Sequence, residues 1–307
     1  MTKVFIDGSA GTTGLRIRQR LSSRTDLSLI TLSEERRKDP AARAEALNTA
    51  DVSFLCLPDE AAREAVSLVE RPESVLIDTS TAHRTAEGWV YGFPELEGFR
   101  DRIRSARRIA NPGCHATGFI ALIAPLVAAG VLRATARLSC FSLTGYSGGG
   151  KKMIAEYESE TLPDLYRAPR QYGLTQTHKH LPEMAVLTGL QYPPVFCPIV
   201  APYYAGMEVT VPLTPEDVSA SPDLLKEIYR QYYQQGLVRF VEHPEEGGFL
   251  SACALAGRDD LEVSVLGNPD RILLISRFDN LGKGASGAAI QNMNLALGLE
   301  ETTGLVV

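Results

Sequence analysis

Apolar and polar positions follow two different periods along this chain, and the change of period divides it. In the first third, short apolar runs at residues 4–7, 27–32, 52–57 and 75–78 read as buried strands. Helical spacing at 12–21, 41–47 and 60–69 fills the intervals between them. Strand–helix alternation with so little spare chain implies right-handed crossovers and a parallel sheet with helices on both faces.

Beyond residue 114 the pattern lengthens. An apolar run at 119–131, broken only by Pro125, reads as a helix with Cys114 at or near its N-cap. Strands are expected at 137–146, 195–201, 208–213, 261–267 and 271–279, and Asn268-Pro269-Asp270 supplies hairpin chemistry between the last two. Two of these alternate cleanly, as in Glu208-Val209-Thr210-Val211 and Leu261-Glu262-Val263-Ser264-Val265. Mostly antiparallel strands with a few helices predict an α+β domain whose sheet is covered on one side. A helix at 222–235 carries Tyr229, Tyr232 and Tyr233, read as packing or interface residues. A last helix at 286–299 is expected to return to the first domain.

Composition narrows the functional classes. The 307 residues are 44% hydrophobic and 22% charged with a net charge of −6, ordinary for a globular enzyme and without the basic surplus of a nucleic-acid binder. No apolar stretch has the length of a membrane span, and Met1–Asp7 leads into a strand with no signal-peptide pattern. The five cysteines (56, 114, 140, 197 and 253) are dispersed. Such a set fits reduced thiols in a cytoplasm better than a disulfide framework or a zinc site, so no metal is expected.

Four segments carry chemistry. Cys114, at a helix start, meets unpaired N–H groups and a dipole that favour a thiolate, the attacker of aldehydes and activated acyl groups. An inert packed cysteine is the commoner role for this residue type. The turn Gly8-Ser9-Ala10-Gly11-Thr12-Thr13-Gly14 follows a strand and opens a helix, the context of a pyrophosphate-binding loop, although its spacing is GxxGxxG. After strand two the chain reads Ser33-Glu34-Glu35-Arg36-Arg37-Lys38 in place of the single acidic residue of an NAD site. Ser33, Arg36 and Arg37 therefore favour the 2′-phosphate of NADP(H), against the alternative of a solvated charge run. In Thr177-His178-Lys179-His180-Leu181-Pro182-Glu183 an extended 178–180 would put both histidines on one face, ahead of a helix to residue 190. With a nucleophilic cysteine in the chain, His178 and His180 read as general acid/base candidates, and nothing nearby completes a metal site. Gly145–Lys152 reads as a loop touching substrate, and Arg84, after the strand at 75–78, as an anion clamp or an ion-pair partner. His83 and His115 read as structural.

Taken with these residues, Asn111-Pro112-Gly113-Cys114, Tyr91-Gly92-Phe93-Pro94-Glu95-Leu96, Gly145–Lys151, His178–Glu183 and Asn280–Asn292 resemble, in order and over the whole chain, the shorter type of N-acetyl-gamma-glutamyl-phosphate reductase. The resemblance implies a Rossmann domain (1–113, with 281–307 returning) plus a glyceraldehyde-phosphate-dehydrogenase-like catalytic and dimerisation domain (114–280) with a mixed, largely antiparallel sheet. It implies NADPH-dependent reduction of an acyl phosphate to N-acetylglutamate semialdehyde and phosphate, in arginine biosynthesis. Cys114 is then the nucleophile, His180 the acid/base and His178 a substrate ligand. Asn280 and Lys283 near the nicotinamide, and Arg84, Tyr146, Ser147, Lys151 and Glu183 contact substrate. A homodimer or homotetramer is expected for such folds. Three other readings stay open here: a one-methylene-longer aminoadipyl substrate, an aspartyl phosphate reductase, and a non-enzymatic NADP(H) sensor.

Overall fold

The computed structural model describes residues 1–307 as two compact units, Met1–Pro112 with Ala285–Leu305 and Gly113–Gly284 with Val306–Val307. The first opens β1 (Thr2–Asp7), α1 (Thr12–Leu21), β2 (Leu27–Ile30), α2 (Pro40–Thr49), β3 (Val52–Leu55), α3 (Asp59–Ser67) and β4 (Val75–Asp78). It continues through β5 (Val90–Tyr91), α4 (Phe99–Ser105) and β6 (Arg108–Ala110). The sheet order is β2-β1-β3-β4-β6-β5, and every pairing is parallel. Strand order reverses between β1 and β3, and ligands bind outside the carboxyl ends at such a switch point.

Both sheet faces are covered, which explains the continuous apolar strands. Val4, Ile6, Val52, Phe54, Val75 and Ile77 pack on one side with Ile17 and Leu21 of α1. Phe5, Leu55 and Leu76 pack on the other with Ala46, Leu47 and Ala65. Asp39 caps α2 by accepting from the Ala41 N–H, and Pro40 occupies its first turn. β2 stops at Ile30, short of residue 32, because its one neighbour β1 pairs with it only as far as Phe5↔Ile30. The sequence does not predict α4: seven residues rich in Arg leave too little apolar periodicity to read.

The second unit runs α5 (Cys114–Ala128), β7 (Ser139–Gly145), α6 (Gly150–Tyr157), β8 (Arg170–Gln171), α7 (Leu181–Thr188), β9 (Val195–Ala201) and β10 (Met207–Leu213). It continues through α8 (Pro222–Tyr232), β11 (Val238–Phe240), β12 (Leu261–Asn268) and β13 (Arg271–Phe278), after which α9 (Gly287–Ala296) adds Ala289, Ile290 and Met293 to the core of the first unit. The order is β11-β12-β13-β10-β7-β9-β8, antiparallel except for β7/β9 and β11/β12. Strand alternation puts Val209, Val211, Leu274 and Phe278 in the core, while Phe141, Val195 and Leu273 are 42%, 58% and 38% exposed on the opposite face. The tyrosines of α8 serve packing. Pro125 has no N–H to give the Ala121 carbonyl, and the Tyr233 hydroxyl donates there at 2.6 Å; Tyr229 donates to the Leu122 carbonyl.

Two sequence expectations are corrected here. Gly145–Lys152 is no loop: Gly145 ends β7, residues 146–149 form a 3₁₀ turn, and Lys151 and Lys152 lie in α6. Glycines hid a helix whose remaining residues are good helix formers. Residues 178–180 are not extended, since His180 has φ −86° and ψ −12° at the start of α7.

Candidate functional site

Cys114 is the first residue of α5, after Gly113 at the N-cap, and no side chain of that cap closes the helix. The first in-helix bond is from the Thr117 N–H to the Gly113 carbonyl, so the N–H groups of Cys114, His115 and Ala116 have no acceptor in the helix. Their donors and the dipole favour negative charge at Sγ. Other thiols are set differently: burial pushes Cys56 up to about 12 and raises Cys140 further. A Cβ on Gly284 would stand 2.9 Å from that of Cys114, so only glycine lets this backbone pass the thiol-bearing residue so closely.

A cluster of rings packs around the next residue, His115. His178 and His180 have centroids 4.7 Å apart, and each lies within 5.7 Å of His115. The turn therefore brings together the two imidazoles that an extended strand was expected to align. His180 donates its backbone N–H to Nδ1 of His178 at 3.2 Å, which makes that nitrogen an acceptor. His115, which the sequence reads as structural, stands inside this cluster. It is 3% exposed, with Nδ1 2.7 Å from the Ser142 hydroxyl and Nε2 2.6 Å from that of Tyr172. Tyr172 gave no sequence signal. Burial raises its phenol, and the charge of Cys114 adds to that, so this hydroxyl lies within electrostatic reach of Cys114.

Burial, then His178, pushes His115 down to about 3, so its ring is neutral at ordinary pH. The unfolded chain takes up this proton near pH 6.5, whereas the folded chain holds out to about 3. More protons bind the unfolded state in that window, so stability falls as pH drops through it, by up to about 1.4 kcal/mol per unit. We expect His115→Gln to flatten the slope of unfolding free energy between pH 6 and 4, read by denaturant titration; an unchanged slope would assign the acid sensitivity elsewhere.

Glu183 is 1% exposed. Oε2 accepts the Gly113 N–H at 3.2 Å, and Oε1 lies 4.0 Å from Nε2 of His180. The amide of Asn280 donates to the buried Ser147 hydroxyl and accepts the Gly206 N–H, both at 3.0 Å, tying two of the motif segments together. Tyr146 stacks on Tyr157 at 4.7 Å, Lys151 is exposed, and Lys283 is fully buried in the π-turn Gly282–Ser286.

In the first unit, the glycine turn fits a dinucleotide. Gly8 has φ +83°, and a Cβ there would meet the Cys56 carbonyl at 2.2 Å; one on Gly14 would meet the Gly8 carbonyl at 2.5 Å. α1 starts without a side-chain cap, and the Thr12 hydroxyl is buried with no hydrogen-bond partner, a donor suited to phosphate oxygens. Beyond β2, Arg36 and Arg37 are exposed, paired only with the surface carboxylates of Glu45 and Glu34. Arg84 is buried, its guanidinium donating to the Asn111 and Thr79 carbonyls. His83 bonds Asp78 at 2.6 Å and stacks on Trp89, as a structural residue does. Asn292, in the same motif segment as Asn280, donates to the Gly92 carbonyl and to the Asn111 amide, joining two more motif segments to it.

The chain is similar to known proteins over its whole length. Residues 3–106 match the model of the semialdehyde dehydrogenase NAD-binding domain, and 114–280 that of the semialdehyde dehydrogenase dimerisation domain. The fold is similar to aspartate semialdehyde dehydrogenase II from Vibrio cholerae, with a TM-score of 0.72 and 16% identity over 97% of this chain and 98% of that one. It is also similar to the Candida albicans enzyme crystallised with NADP, with a TM-score of 0.69 and 15% identity over 96% and 98%. Sequence relatives lie much nearer. N-acetyl-gamma-glutamyl-phosphate reductase 2 of Nostoc sp. is 44% identical, covering 99% of both chains, and the reductase of Rhizobium meliloti is 47% identical over 96% and 98%. The chain belongs to the N-acetyl-gamma-glutamyl-phosphate reductase family.

Proposed function

We propose that this chain reduces N-acetyl-L-glutamyl 5-phosphate to N-acetyl-L-glutamate 5-semialdehyde, with NADPH as reductant and Cys114 as nucleophile. The observation that carries the reading is a cysteine opening an uncapped helix beside a cluster of three imidazoles. The Cys114 thiolate bonds to the acyl carbon, the carbon–oxygen bond to phosphate breaks, and a thioester remains on the enzyme. NADPH, when bound, supplies the hydride that brings this carbon to the aldehyde level. Gly8 through Gly14 would hold its pyrophosphate, with Asn280 and Lys283 toward the nicotinamide. The N–H groups of Cys114 and His115 stabilise the oxyanion that develops at the same carbon. Collapse of that oxyanion breaks the carbon–sulfur bond and returns the thiolate.

His180 accepts the thiol proton and gives it to a leaving group. Fixing Nδ1 of His178 as an acceptor for the His180 backbone supports the other role for that ring, a neutral donor through Nε2 to the substrate. Arg84, Tyr146, Ser147, Lys151 and Glu183 are the remaining substrate-side candidates. The test is the reverse reaction: NADP⁺ reduction with N-acetylglutamate semialdehyde must depend on phosphate and exceed that with aspartate semialdehyde or the one-methylene-longer semialdehyde. A faster rate with either control would overturn the assignment.

Ser33, Arg36 and Arg37 would meet the 2′-phosphate. Each charged hydrogen bond lost contributes roughly 1.5–3 kcal/mol. Arg36→Ala with Arg37→Ala should therefore raise KM for NADPH about tenfold or more and leave KM for NADH unchanged; equal effects on both would reject this site.

The exposed apolar face of Phe141, Val195 and Leu273 supports a homodimer or a larger homo-oligomer. Phe141→Glu should convert it to monomers in sedimentation velocity, and an unchanged sedimentation coefficient would place the interface elsewhere. Five free thiols support a reducing cytoplasm as its location. No helix is long and apolar enough to cross a membrane.

A further inference from the structure

Given the substrate-binding role proposed above for His178, we infer that Gln176 is its positioning residue. The Gln176 side-chain amide stands in for the main chain at the edge of the second sheet and so fixes the turn that carries the imidazole. β8 pairs with β9 at Arg170↔Val200 and Gln171↔Ile199, and the Tyr172 N–H then donates to the Pro198 carbonyl at 3.0 Å. Continued in that register, the strand would set Leu174 opposite Phe196. It does not continue. Gly173 takes φ +65° and turns the chain away, and the Gln176 N–H closes the turn on the Gly173 carbonyl at 3.0 Å.

That turn takes the main chain away from the outer edge of Phe196, where a donor and an acceptor need partners. Gln176 supplies both. Its Nε2 donates to the Phe196 carbonyl at 2.7 Å, and its Oε1 accepts the Phe196 N–H at 2.9 Å. A primary amide presents the donor and acceptor of a peptide group, so the pair reproduces one rung of an antiparallel ladder. Making it leaves the Gln176 backbone at φ +56°, and no other non-glycine residue of the chain has a positive φ. Such a conformation persists where the surroundings over-determine it, and here two hydrogen bonds do so. The ring of Phe196 packs edge-on against His178 and His115 at 5.1 and 5.3 Å, and His178 lies two residues beyond Gln176. One amide therefore fixes both the ring beside His178 and the main chain leading into it. The bond from the His180 N–H to Nδ1 of His178 depends on that course of the chain.

Gln176→Gly removes both bonds and relieves the φ constraint, whereas Gln176→Glu keeps the constraint and sets a second acceptor against the Phe196 carbonyl. We expect both to raise KM for the acyl phosphate about tenfold with kcat within about threefold. Relief of strain alone would leave Gln176→Gly at the wild-type KM or below, and that result overturns the inference. Added to His178→Asn, Gln176→Gly should raise KM by less than about twofold more, because there is no imidazole left to place; effects that multiply also overturn it. Independently of turnover, ¹⁵N-histidine NMR reads the ring on the substrate-free Cys114→Ser protein. At about pH 8 it should show His178 as the Nε2–H tautomer, and as a mixture of tautomers once Gln176→Gly is added. A single unchanged tautomer contradicts the inference. Failure of the wider reading would show separately, as full activity in Cys114→Ser with this tautomer change intact.

Discussion

Cys114→Ser is expected to lower turnover by about three orders of magnitude or more while NADPH binds as in the wild type. A serine hydroxyl is uncharged at neutral pH, and the single uncapped turn of donor N–H groups at the start of α5 cannot ionise it as it can a thiol. The residual rate would come from orientation of substrate against the reductant. Cofactor affinity should persist because the glycine turn, the Thr12 hydroxyl and α1 belong to the first unit, whereas Cys114 opens the second. Fluorescence titration with NADPH and a single-turnover assay read the two quantities apart. Retained activity would remove the covalent route, and lost NADPH binding would show that the substitution perturbs more than the nucleophile.

His180→Asn should cost about 10²–10⁴ in kcat, the usual contribution of a positioned acid/base. Asparagine keeps a polar group at the N-cap of α7, where its side chain is a favoured cap, so the helix should form. It cannot exchange a proton at neutral pH. His178→Asn should cost less in kcat and more in KM, because the ring of His178 holds a fixed acceptor role toward the backbone. The two variants, compared in kcat and KM with the acyl phosphate, assign the roles. Larger kcat loss in His178→Asn would exchange them.

Much of the fold was legible because its two sheets are buried in different ways. Strands covered on both faces, such as β1 with Val4-Phe5-Ile6, appear as unbroken apolar runs, and those with one exposed face, such as Met207–Leu213, alternate. Thr12–Leu21 could be read to the residue because a glycine turn precedes it and its apolar spacing is regular. α4, β8 and β11 escaped because two to seven residues are too few to show a period. Gly145–Lys152 misled because its glycines mark the crowded end of β7 and the start of α6, not an open loop.

In the site, Cys114 and the His-x-His pair stand out in the sequence by residue type and local spacing. What sequence could not supply was long-range pairing. Nothing local says that Glu183 reaches back 70 positions to Gly113, or that Tyr172 and Ser142 bracket the ring of His115. His115 reads as structural in the sequence, since adjacency to Cys114 on a helix does not make it a partner; in the structure burial keeps its ring neutral and the other two imidazoles pack against it.

Mixing the enzyme with N-acetylglutamyl phosphate in the absence of NADPH isolates the first half of the reaction. The account requires a burst of about one phosphate per active chain and an N-acetylglutamyl adduct that peptide mapping assigns to Cys114. Turnover on later addition of NADPH without any such adduct, or an adduct on another residue, would contradict it.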